Sequence, residues 1–100
     1  MTVVGTGGVC LKKIIRSCRF LKDYKSLDSG MKERVDNTLR KLLQNPIPSG
    51  ICFEKLKGYK NPDIYTVHVT GNLKISIEIK DGNEAILRRV AQHDQIDFNP

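Results

Sequence analysis

Two histidines, His68 and His93, are the side chains best suited to moving a proton near neutral pH, where imidazole titrates. Lys55, Lys57 and Lys74 can offset negative charge, although an ammonium cannot make the two-pronged contact of a guanidinium. Arg88 and Arg89 are adjacent, so in a regular strand at most one faces a given surface. Tyr59, Tyr65 and Phe98 supply rings that can stack, and Tyr65 also suits a core position. Phe98 can stack but cannot exchange a proton. Asp94 and Asp97 stand beside His93 and either orient an imidazole or keep the tail soluble. Each group also has a plainer reading: a histidine capping a strand, or a lysine in solvent. Cys10, Cys18 and Cys52 show neither CxxC nor zinc-ligand spacing, so they read as small apolar residues and no metal site is expected.

Composition limits what these residues can serve. The chain has 100 residues, which suits one domain with a modest core. Its 39% hydrophobic and 28% charged residues fit a globular fold rather than disorder. Lys and Arg total 17 against 11 Asp and Glu, for a net charge of +6. That excess attracts phosphate or an acidic protein, or it is only a solvated surface. Tryptophan is absent and aromatics are 6%, which argues against a broad stacking platform for single strands. No apolar run approaches the roughly 18 residues that cross a bilayer, so no membrane association is expected. The first eleven residues lack a basic stretch ahead of an apolar one, and their glycines lack the GK[ST] ending of a phosphate loop. They read as a leader or short extra strand. Scattered cysteines suit a reducing compartment, so a cytoplasmic location is expected.

The elements that must position these groups follow from periodicity. Residues 12–17 make a short strand through Ile14 and Ile15. Phe20, Leu21, Tyr24 and Leu27 then share one helical face, opened by Ser17 or Cys18. Asp28, Ser29 and Gly30 interrupt it and offer a cap for a second helix. That helix carries Met31, Val35, Leu39, Leu42 and Leu43 as a core stripe and ends at Asn45-Pro46. Beyond Pro48 the period becomes two. Residues 51–56 form a strand, and Tyr65, Val67 and Val69 alternate with Thr66, His68 and Thr70. Leu73, Ile75, Ile77 and Ile79 alternate with Lys74, Ser76, Glu78 and Lys80, Asp81-Gly82 marks a hairpin, and residues 84–92 make the last strand. Keeping the apolar rows together favours a three-residue loop over residues 71–73, pairing Val69 with Ile75 and placing His68 opposite Ser76. The fold class is α+β: two N-terminal helices on one face of a mostly antiparallel sheet of 4–5 strands. The other face, with Thr66, His68, Lys74, Ser76 and Glu78, is then available as a working surface.

This order of elements resembles the RelE/ParE superfamily of toxins from bacterial toxin–antitoxin modules. The resemblance runs from about residue 12 to residue 98, so residues 12–100 are taken as one RelE/ParE-like domain. Its anchors are Phe20-Leu21-Lys22-Asp23-Tyr24, the helix ending at Asn45-Pro46, the strand Leu73-Lys74-Ile75-Ser76-Ile77, and the closing Gln92-His93-Asp94. The most telling part is Lys55-Leu56-Lys57-Gly58 followed by Asp63-Ile64-Tyr65-Thr66-Val67. The resemblance implies a toxin held in check by a cognate acidic antitoxin protein. For the RNA-cleaving branch it implies a metal-free endoribonuclease, an mRNA interferase acting on mRNA at the ribosome without a cofactor. His93, Lys74 and Lys55 would then be catalytic, with Lys57, Tyr59, His68, Arg89 and Phe98 binding substrate. His93 and Lys74 stand where that branch more often has arginine. The alternative is a ParE-like inhibitor of DNA gyrase that cleaves nothing.

Overall fold

The computed structural model describes residues 11–44, 50, 53–55, 64–80 and 84–98, with side chains up to residue 96. The elements run β1 (Lys13–Arg16), α1 (Cys18–Lys25), α2 (Ser29–Leu42), β2 (Glu54–Lys55), β3 (Ile64–His68), β4 (Leu73–Lys80), β5 (Glu84–Gln92) and α3 (His93–Phe98). The strands form one sheet in the order β1-β5-β4-β3-β2. Among the described residues, only the β1–β5 pairing is parallel. The intervening helices α1 and α2 account for it, because parallel neighbours need a long crossover.

Local chemistry sets the helix starts. Ser17 caps α1, its hydroxyl accepting from the Phe20 amide at 3.1 Å. Asp28 caps α2 by accepting from the Met31 amide at 2.7 Å. The stripe on α2 buries Val35, Leu39 and Leu42 against Phe20, Val67, Ile75, Ile77, Leu87 and Val90. Two expected members turn out differently. Leu21 and Leu43 are more than two-fifths exposed, because each lies at the margin of its helix's buried arc. Leu11 is buried in the same cluster.

The β3–β4 register also differs from expectation. Val67 pairs with Ile75, Thr66 with Ser76, and His68 with Lys74, a shift of two residues. Strand parity cannot detect such a shift, since it leaves every side chain on its own face. The connection spans residues 69–72, and Thr70 shapes it: its hydroxyl oxygen accepts from the amides of Asn72 at 3.2 Å and Leu73 at 3.1 Å.

The face away from α1 and α2 is not wholly open. α3 packs against β4 and β5 and buries Ile96, which lies outside the main core cluster. On that face Ile64, Thr66 and Ser76 are buried as well. The expected polar working surface is therefore reduced to its ends. The C-terminal helix escaped sequence reasoning because residues 93–98 are too few to show a helical period.

Candidate active site

The end of the sheet at the β3–β4 turn gathers three of the expected residues. His68 and Lys74 are direct cross-strand partners, and Lys74 faces Ala91 on β5. Leu73 pairs with Gln92, the residue just before His93. The His93 amide donates to the Asn72 carbonyl at 2.7 Å, tying the start of α3 to the turn. Partners facing each other in an antiparallel pair have Cβ atoms about 5 Å apart, within reach of a shared ligand.

His93 Nδ1 lies 3.0 Å from Asp94 Oδ1, and its side chain is 43% exposed. Donation from Nδ1 to the carboxylate fixes the tautomer, so a neutral imidazole carries its acceptor lone pair on Nε2. Asp94 is thus set to orient the ring, and the side chain of Asp97 lies outside the described residues. His68 and Lys74 are both partly exposed. This end of the sheet can accept a proton, donate one and offset negative charge.

Other expected residues are placed differently. Lys55 pairs with Tyr65, whose ring stacks on the buried Phe53 at 5.1 Å between centroids. Facing partners share a side, so the register puts Lys55 at the outer edge on the helix-bearing side, not on the face of Lys74. Arg89 is held by Asp23 of α1, with Nε 3.3 Å from Oδ2, and its side chain is only 16% exposed. The same carboxylate oxygen accepts from the Val90 amide at 3.2 Å. Arg89 therefore fastens α1 along β5. A β-bulge between Ser76 and Ile77 makes Arg88 an extra residue, which breaks the expected alternation of the two arginines. Arg88 pairs with Glu78 at 2.8 Å. Lys57, Tyr59 and the side chain of Phe98 lie outside the described residues. So do Cys10 and Cys52, whereas Cys18 is exposed rather than buried.

The fold can be compared with solved proteins. The RelE chain of the RelB–RelE antitoxin–toxin complex from Methanococcus jannaschii is 28% identical, with a TM-score of 0.62 over 86% of this chain and 99% of that one. By its fold, this chain is a member of the RelE/ParE toxin superfamily. The DinJ–YafQ toxin–antitoxin complex of E. coli gives a TM-score of 0.66 at 19% identity, over 83% of this chain and 93% of that one. The YoeB dimer of Staphylococcus aureus gives 0.65 at 22% identity, over 81% and 95%. These two share the RelE/ParE fold and are too distant in sequence to carry more. No protein-family model and no curated relative matches the sequence. Among the described residues, no helix is long and apolar enough to cross a membrane, and no cluster of three or more His, Cys, Asp or Glu is arranged to hold a metal ion.

Proposed function

We propose that the chain is the toxin of a toxin–antitoxin module and that it blocks translation by cutting mRNA on the ribosome. The observation that carries this reading is the meeting of His93, His68 and Lys74 at one sheet end, with Asp94 bound to the His93 ring. His93 Nε2 takes the proton of a ribose 2′-OH as that oxygen attacks the adjacent phosphorus. Lys74 offsets the charge that builds on the phosphorane oxygens. His68 would serve as the acid that gives a proton to the departing 5′-oxygen, leaving a 2′,3′-cyclic phosphate and a 5′-hydroxyl. Lys57, Tyr59 and Phe98 remain candidates for holding the strand around this centre, whereas Lys55, expected as catalytic, and Arg89, bound to Asp23, stand apart from it.

A cognate acidic antitoxin is part of the proposal. The M. jannaschii relative was solved as an antitoxin–toxin complex, and the +6 charge of this chain suits an acidic partner. The test is induction in bacteria with pulse labelling of new protein and mapping of transcript ends. Loss of protein synthesis with cut transcripts is expected, and His93→Ala should abolish both. Filamentation with a DNA-damage response and intact transcripts would favour a gyrase inhibitor instead. His93→Ala as toxic as the parent at equal expression would remove the catalytic assignment.

A further inference from the structure

A second basic feature lies on the same side of the sheet as Lys74, further along β5. Ser17, Arg19, Glu78, Ile86 and Arg88 line an open depression of about 220 Å³. Resting on the endonuclease reading above, we propose that this depression is a second phosphate subsite, which holds the RNA backbone a short distance from the cleaved bond.

The bulge opposite Ser76 and Ile77 carries the first part of the argument. An extra residue re-aims the side chains around it. Here Arg89 goes to Asp23, while Arg88 goes to the depression. Ser17 fixes the backbone at that point, its hydroxyl donating to the Arg88 carbonyl at 3.3 Å. Among the described residues that line this open concavity, Arg19 and Arg88 bring guanidinium groups and Glu78 a carboxylate.

Arg19 carries the second part. It stands in the first turn of α1, where no acidic residue is present. A cation there opposes the helix dipole, so helix stability does not explain it. An anion held between Arg19 and Arg88 does. The Arg88–Glu78 pair is partly exposed, with side chains 36% and 26% accessible. Such a pair is worth little in water, so this contact with Glu78 opposes a phosphate only weakly. A guanidinium fork matches phosphate oxygens, and Ile86 offers an apolar floor for a ribose or base. The depression is open to solvent, which suits a strand passing across it better than an enclosed small molecule.

Position carries the third part. Arg88 is three residues along β5 from Ala91, the partner of Lys74. At about 3.3 Å per residue that is on the order of 10 Å, or one to two nucleotides of backbone.

The test is equilibrium binding of a labelled single-stranded RNA with a 2′-deoxy sugar at the cleavage position, measured over a salt series on the full chain. Each phosphate contact contributes about 0.7 to the slope of log affinity against log salt for single strands. Arg88→Ala and Arg19→Ala should each lower that slope by about 0.7 and weaken binding several-fold at low salt. Glu78→Gln should tighten binding, since it removes the competing carboxylate. A purely structural role for the Arg88–Glu78 pair would make both changes harmful, so opposite signs are the signature. Parent-like affinity and slope in all three variants would overturn the subsite while leaving the cleavage reading intact. Weakened capture of an acidic protein with unchanged RNA binding would also overturn it and mark a protein contact. No RNA binding by the parent chain would overturn the functional reading, and the subsite with it.

Discussion

At the scale of single residues, His93 and Tyr24 are each held by a carboxylate, with different consequences. Asp94 is 88% exposed, so its bond to His93 orients the ring in competition with water. Asp94→Ala should therefore lower transcript cleavage by less than His93→Ala, for which loss of a general acid–base group typically costs about 10²–10⁴-fold. Equal losses in a cleavage assay would show that Asp94 touches the substrate itself. Tyr24 instead packs against the core, and its hydroxyl donates to both oxygens of Asp36 at 3.0 and 3.2 Å. Burial first, then the hydrogen bond and negative charge of Asp36, raise its pKa above the ordinary 10.0. The native state therefore holds this proton more tightly than the unfolded chain. Stability from it is fully present below pH 10 and is lost as pH climbs from there through the raised value. In denaturant titrations, Tyr24→Phe should cost about 1 kcal/mol at neutral pH and reduce the decline above pH 10. An unchanged decline would place the alkaline sensitivity on other groups. The sequence marked His68, His93 and Lys74 by their chemistry, but it could not show that Asp23 claims Arg89, because that bond joins residues far apart in the chain.

At the scale of elements, the β3–β4 turn decides what the site contains. The alternating pattern assigned both faces of these strands correctly, and it predicted β5 to the residue, because burial enforces parity. It could not choose between registers two residues apart. In the alternative register His68 would face Ser76, away from Lys74. The Thr70 hydroxyl, accepting from two amides, is the local feature that closes the loop where it does. Thr70→Ala should lower stability by about 1 kcal/mol and reduce cleavage, whereas Thr70→Ser should retain both. Denaturation midpoints measured beside cleavage rates would check this. A fully active, fully stable Thr70→Ala protein would mean that pairing of the apolar rows alone sets the register.

For the whole molecule, the core and the net charge act separately. Leu42 is fully buried, whereas Leu39 is 4% exposed and lines a groove between β1 and α2 with Ile14, Arg16, Asp36, Arg40 and Leu43. Truncating Leu42 leaves a sealed void, while truncating Leu39 opens onto that groove. Both changes should fall in the range of about 2–5 kcal/mol, with Leu42→Ala the larger by chemical denaturation. The reverse order would mean that the groove is covered in solution. Charge, by contrast, governs encounter rather than folding. The +6 of this chain would attract the acidic antitoxin proposed above, and exposed charges are screened beyond about 10 Å at 0.1 M salt. Steering of this kind acts on the approach of the partners more than on their separation. Stopped-flow mixing with the cognate antitoxin should therefore show an association rate that falls about tenfold or more from low to high salt, with dissociation changing far less. A salt-independent association rate would mean that the basic surface plays no part in finding the antitoxin. The excess of lysine and arginine would then be left to the proposed RNA substrate alone.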